Sequence, residues 1–348
     1  MDADSNLSPI DKLIYLGRVA WSQARLPIAL RRLSIAADNM RERAFPHGAV
    51  LAREGEPLAS SYLLVQGRVR VSRRGTVLGE AEPGALVGFE GLLSQDPLGL
   101  GAVAATDVLA LQLDHDTLLG ILDDQFPLVQ LATRAATRRF LELIRRLAGP
   151  RHDSTRFLLP GRLRDDEAGG WLPQPVGRRM NLIEVLLFLR TPGGPFEGSS
   201  IDALAELAAS MTQVPFPAGH VFWREGDRAT RLCLLVEGNV ACASSRAGAP
   251  FSFRVGPGRP LGVLESFAGG PRWFDAVAET PGVLLEDDVE RLIDLFEDNT
   301  DVALDYLAWV SRTTLELIER ELGPGRDLLE FFTILAPPSE PEGEHARR

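Results

Sequence analysis

Lysine is almost absent from this chain: Lys12 is the only one among 348 residues, and every other basic residue is an arginine. A preference of this kind reflects GC-rich coding bias and carries no functional weight. Positive charge is also in deficit. With 37 basic against 48 acidic side chains and a formal net charge of −11, the sequence excludes a general nucleic-acid or anionic-membrane binder. Cysteine is scarce: Cys233 and Cys242 have neither metal-type spacing nor a disulfide-rich context, so a reducing, cytoplasmic setting is expected. Long apolar runs are missing, stretches such as Val185–Leu189 falling far short of a membrane span, and the opening MDADSN has no basic region leading into an apolar one. Neither export nor insertion is expected. The histidines, His47, His115, His152, His220 and His345, show no metal-ligand spacing and no Ser–His–Asp or Cys–His arrangement, so no metal, no catalytic residue and no enzyme activity are expected.

What is present is enough chain, at 45% hydrophobic residues, for two domains with separate cores. From Pro9 to Met40 the apolar spacing is helical and is interrupted near Pro27. After Met40 short segments of period-two character follow, punctuated by Pro46, Gly48, Gly55, Gly67, Gly75, Pro83 and Gly84, the signature of a compact all-β unit. Helical spacing returns with Thr133, Ala136, Phe140, Leu143 and Leu147, a seam that packs on its own domain or on another helix. Arg134, Arg138, Arg139, Arg145 and Arg146 form a basic stripe beside that seam, either solvated or facing an acidic partner. Prolines and glycines from Gly149 to Met180 mark a linker, on which Phe157-Leu158-Leu159 and Trp171-Leu172 are candidate docking points.

The second half repeats the first. Phe45 to Val69 aligns with Phe216 to Val240 at an offset of 171 without a gap, with twelve identities in twenty-five positions, chiefly turn glycines and core apolars. Beyond a hairpin three residues longer in the second copy the offset becomes 174, matching Pro83-Gly84 to Pro257-Gly258, Gly88 to Gly262 and Ala102-Val103-Ala104 to Ala276-Val277-Ala278. A second heptad seam, Ala303, Leu307, Val310, Thr314 and Leu317, closes the second copy. The expected division is an N-terminal helical lead-in at 1–24, a first domain at 25–148, a linker at 149–181, a second domain at 182–322 and a C-terminal tail at 323–348, disordered from Ala336.

An F-P-x-G start, an R-E-G-[ED] turn, an L-L-V-x-G-x-V strand and a P-G-x-x-x-G entry to a short helical cassette, all present twice, resemble the cyclic-nucleotide-binding domain, the β-roll of the catabolite activator protein and of protein kinase A regulatory subunits. The resemblance covers roughly 25–148 and 182–322. It implies an α+β fold: tandem double-stranded β-helices, jelly-roll-like, each flanked by helices. In that family a glutamate of the phosphate cassette accepts from the ribose 2′-hydroxyl and an arginine pairs with the cyclic phosphate.

Set on the family pattern, the first cassette has Gly88-Phe89 where Gly-Glu is expected and Leu98 in place of the arginine, with Glu90 one position displaced. An apolar Leu98 forfeits a charge-assisted bond of about 1.5–3 kcal/mol. The second cassette keeps Gly262 and Arg272. It has Val263 for the glutamate, with Leu264 and Glu265 following, and Trp273-Phe274-Asp275 for the small Ala-Ala-Thr, which narrows the cavity a purine would enter and sets a negative charge near an anion site. For Arg272 two roles stand open, a structural salt bridge and a ligand contact. Arg31-Arg32-Leu33-Ser34-Ile35 resembles a basophilic-kinase site, outweighed by its helical setting. Nothing after either roll reads as a recognition helix, so no DNA partner is expected.

The expected function is a non-catalytic regulatory or interaction protein built from two degenerate cyclic-nucleotide-binding-like domains. It would act through an unknown protein partner or by self-association through the helices at 133–147 and 303–317. The alternative is a genuine cAMP- or cGMP-type receptor that binds a cyclic nucleotide through the second domain only.

Overall fold

The computed structural model describes residues 7–24, 30–95, 99–147, 179–191, 194–244, 251–321, 329 and 333–335. Leu98, Phe157-Leu158-Leu159, Trp171-Leu172 and the tail from Ala336 lie outside them. The chain divides into two compact units, residues 1–131 with 325–348, and residues 132–324.

The first unit opens with α1 (Pro9–Ala24) and α2 (Leu30–Asn39), then strands β1 (Arg41–Phe45), β2 (Val50–Ala52), β3 (Ser60–Gln66), β4 (Val69–Arg73), β5 (Thr76–Ala81) and β6 (Ala85–Val87). A one-and-a-half-turn helix, α3 (Phe89–Ser94), precedes β7 (Gly101–Ala104), β8 (Val108–Asp114) and α4 (His115–Asp124). Helix α5 (Phe126–Leu147) runs on into the second unit. That unit repeats the plan with α6 (Leu182–Leu189), α7 (Ile201–Ser210), β9 (Thr212–Phe216), β10 (Val221–Trp223), β11 (Arg231–Glu237), β12 (Val240–Ser244), β13 (Phe251–Val255), β14 (Arg259–Leu261), α8 (Val263–Ala268), β15 (Asp275–Ala278), β16 (Gly282–Asp288), α9 (Val289–Asp298) and α10 (Thr300–Glu321). Strand β17 (Thr333–Leu335), in the stretch expected to be a tail, pairs with β6.

The jelly-roll-like closure expected from the sequence is not what forms. Each unit holds two separate, open antiparallel sheets: β1-β8-β3-β6-β17 and β2-β7-β4-β5 in the first, β14-β11-β16-β9 and β10-β15-β12-β13 in the second. The α+β character and the flanking helices remain. The reasons for the open edges are local. In the second unit Pro260 and Pro215 sit on the edge strands β14 and β9, where neither can donate to a further ladder. Register shifts between Val50 and Ala52 and between Val221 and Trp223 interrupt the short ladders that β2 and β10 make with β7 and β15.

The repeat is visible bond by bond. Gly48 N donates to Ala104 O and Gly219 N to Ala278 O, both at 2.8 Å, tying each F-P-x-G turn to the strand after its cassette. The seam residues of α5 and α10, Ala136, Phe140, Leu143, Ala303, Leu307, Val310 and Leu317, are buried within the chain. No helix among the described residues is long and apolar enough to cross a membrane.

Candidate functional site

Three features of the second unit position Arg272. Its backbone is pinned by the R-E-G-D turn: Arg272 N donates to Asp227 O and Gly226 N to Arg272 O, both at 2.8 Å. Gly262, ahead of α8, adopts a left-handed φ of 69° and leaves no Cβ in the way; a Cβ there would collide with Arg272 Nη1 and lie 2.7 Å from Trp223 Cη2. The register shift in β10 accompanies the burial of Trp223, whose indole lies against the guanidinium, with Arg272 Cζ 4.0 Å from its ring centroid.

The guanidinium is thus 3% exposed and turned inward. Nη1 donates to Gly262 O, and Nη2 donates to Arg231 O at 3.0 Å. Nη1 also faces Glu265 Oε2 at 3.9 Å, an ion pair with both side chains buried. Burial pushes the Glu265 carboxyl above its ordinary range, against the opposing pull of Arg272 and, more weakly, Arg145. Burial likewise lowers the Arg272 guanidinium, with Glu265 opposing. Glu265 Oε1, Arg272 Nε and Trp223 Nε1 are buried without a hydrogen-bond partner among the described residues, while the Glu265 carboxyl as a whole is also held by its own backbone and by the Trp273 side chain.

Around the pair, Phe253 and Phe274 pack edge to face at 5.1 Å between centroids, and Trp223 and Phe274 at 5.9 Å, filling the interior of the roll. Trp273 is half-buried, with Arg145 Cζ of α5 5.6 Å from its ring centroid, while Arg138 Nε of the same helix donates to Ala268 O at the end of α8. The basic stripe read from the sequence therefore meets the second cassette. Val263 and Leu264 are partly exposed on α8. Asp275 lies away from Arg272, accepting from Glu225 N at 2.7 Å and from Arg224 Nη1 at 3.1 Å; these bonds hold its carboxyl below the ordinary range.

The first unit assembles a different set. Gly88 again precedes the cassette helix with a left-handed φ of 85°, Phe89 is half-buried and Glu90 is buried. Its buried arginine is Arg73, at the end of β4, whose Nη1 donates to Gly99 O at 2.8 Å. Sequence reasoning missed Trp223 and Arg73. A signal for the first was available: Ala52 stands opposite Trp223 in the repeat, so the tryptophan and the arginine are gained together in one copy. Among the described residues no group of His, Cys, Asp or Glu is placed to hold a metal ion.

The family model described as "Cyclic nucleotide-binding domain" matches residues 42–125 and 213–299, one stretch in each copy. Among curated proteins, the CRP-like cAMP-activated global transcriptional regulator of Mycobacterium tuberculosis is 27% identical over 121 residues, covering 34% of this chain; the chain spans about half, 54%, of that protein's length. Among solved structures, the N-terminal domain of a transcriptional regulator from Streptomyces coelicolor is similar at 30% identity, covering 40% of this chain and 99% of that one with a TM-score of 0.35. The regulatory subunit of a cAMP-independent protein kinase A from Trypanosoma cruzi, bound to guanosine, is similar at 17% identity, covering 88% and 87% of the two chains with a TM-score of 0.31. With both copies matched by the family model, and with the same turn and cassette geometry in each, this chain carries two tandem domains of the cyclic-nucleotide-binding family.

Proposed function

We propose that the chain is a non-catalytic regulatory protein whose second domain is the cyclic-nucleotide-responsive one, with Arg272 as the phosphate contact. One observation carries this reading: in the second cassette a buried arginine beside Gly262 keeps an unpartnered Nε and a carboxylate partner 3.9 Å away, a contact that a cyclic phosphate could replace. A nucleotide would draw the guanidinium off Glu265 and the Gly262 carbonyl and so alter the seat of α8. The named relatives, a cAMP-activated transcriptional regulator and a kinase regulatory subunit, are regulators rather than catalysts, which supports the same class.

A second reading rests on the opposite aspect of the same geometry. Both terminal nitrogens of Arg272 are engaged by backbone carbonyls, and Trp223, Phe253 and Phe274 fill the roll, an arrangement suited to a cassette that is pure scaffold in a protein acting through protein contacts. Calorimetric titration of the full chain with cAMP and cGMP separates the two. The receptor reading expects one saturable site, weakened about tenfold or more in Arg272→Lys, which keeps the charge and loses the planar fork. Absence of heat and of thermal stabilisation at millimolar nucleotide leaves the scaffold reading standing alone.

A further inference from the structure

The two copies also part company at one sheet edge. In the first, β17 lies antiparallel on β6, with Thr333 opposite Val87, Ile334 opposite Leu86 and Leu335 opposite Ala85. The equivalent strand of the second copy, β14, is the outermost strand of its sheet among the described residues. At the repeat offset of 174, Pro260 of β14 stands where β6 has Leu86, and Phe253 of β13 stands where β5 has Gly79. Both first-copy residues serve the C-terminal segment. Leu86 keeps the backbone N–H that a further ladder needs and that a proline lacks. Gly79, at a φ of 151° that favours glycine, leaves room for Leu329: a Cβ there would lie 3.1 Å from Leu329 Cδ2 and 3.3 Å from Leu329 Cβ.

The second roll is built on the same plan with no strand beside β14 among the described residues, so a roll of this kind does not need β17 to complete its own sheets. A three-residue strand on an edge belongs to the low-stability end of a fold. Its release uncovers a row of unpaired backbone groups on β6, the ordinary template for pairing with another chain. The second copy guards the same place with Pro260; the first has only β17 to cover it. What fits the uncovered edge is set by its register and by the Gly79 seat, and Leu329 with β17 matches both whichever chain supplies them. We propose that the β6 edge and the Gly79 seat form a strand-docking site for Leu329 and β17 of a second copy of this chain, and that β17 in cis is its autoinhibitory occupant. The site uses no group of the second cassette and does not require nucleotide binding.

The test mixes two full-length variants. Ile334→Pro removes an N–H from the middle of β17 and leaves the β6 edge open. Leu86→Pro puts on β6 the residue that the second copy carries opposite Leu234, spoiling the edge and leaving the segment free. Alone, each variant should sediment as a single species. Mixed, they should form a one-to-one complex with a dissociation constant below ~1 mM, because a segment docked in cis binds more tightly than the millimolar effective concentration its tether supplies. Hydrogen-exchange protection of the 85–87 amides should fall about tenfold or more in Ile334→Pro and return when Leu86→Pro is added. Leu329→Ala, placed in the Leu86→Pro chain, should weaken the complex about tenfold. Should Leu86→Pro fail to fold, a peptide of residues 325–340 supplies the free segment to Ile334→Pro. The proposal is overturned by no complex at ~1 mM between folded partners, by association of Ile334→Pro with itself as strong as in the mixture, or by β6 protection unchanged in Ile334→Pro. Neither variant touches Arg272, so the outcome is independent of the nucleotide reading.

Discussion

The two cassettes begin from one frame and are wired differently. Each has a six-residue helix behind a left-handed glycine, Gly88 or Gly262, and among the described residues each roll buries an arginine that donates to a glycine carbonyl of its own cassette. The arginines come from different places. Arg73 reaches Gly99 from the end of β4, whereas Arg272 follows Pro271 within the cassette itself. Arg272 brings its own supports, Trp223 beneath the guanidinium and Glu265 beside it, and the first copy has Ala52 and Gly91 at those two repeat positions. The roll therefore does not dictate where its buried cation enters. What fixes the entry point is the local set of carbonyls, aromatic face and carboxylate that offsets desolvation.

The largest effect that would break this comparison is expected from Arg272→Leu. It leaves Glu265 as a buried carboxylate without its counter-charge, and a loss of about 3–5 kcal/mol in urea unfolding is expected. Arg272→Leu combined with Glu265→Leu should recover most of that loss; a double variant as unstable as the single one would show that the pair is not the unit of stability. Next in size is the glycine pair. Gly262→Ala forces a left-handed alanine and drives its Cβ into the guanidinium, so a loss of about 3 kcal/mol is expected. Gly88→Ala meets only the end of Leu58, its Cβ 3.1 Å from Cδ1, and should cost about 1–2 kcal/mol, the backbone term alone. Equal losses would mean that the two cassettes are not wired differently at this point.

The frame was legible in the sequence because glycines at turns and apolar residues on strands repeat at fixed offsets, and both copies keep them. Phe45 and Phe216, Gly67 and Gly238, Gly88 and Gly262 announce where the chain turns and where the cassette begins. Sheet closure was not legible, since period-two spacing reports which face of a strand is buried and leaves open which strand lies beside it. The edges were set by Pro215, Pro260 and two register shifts, features whose effect depends on a partner strand far along the chain. Thr333–Leu335 extends a sheet from a stretch whose composition reads as tail. At the site, spacing located Arg272 and offered two roles for it, a salt bridge and a ligand contact. It could not supply the Trp223 face, since the bulge that accompanies its burial is a property of the β10–β15 pairing.

The smallest predicted effect sharpens the comparison by titration. Burial raises the Glu265 carboxyl above its ordinary 4.5, the attraction of Arg272 and Arg145 notwithstanding. The folded state then holds this proton more tightly than the unfolded chain, so protons favour folding at this group. Its stabilising contribution is fully present below about 4.5 and is lost as pH rises through the raised folded value. Carboxylates whose folded value is depressed, Asp275 among them, contribute in the opposite sense, losing stability as pH falls. Glu265→Gln removes the first contribution and leaves the second. Unfolding midpoints measured from pH 4.5 upward should therefore fall less steeply with pH, or rise more steeply, in Glu265→Gln than in the parent chain. Parallel curves would mean that Arg272 neutralises Glu265 completely, and that the ion pair rather than desolvation sets the charge of the second cassette.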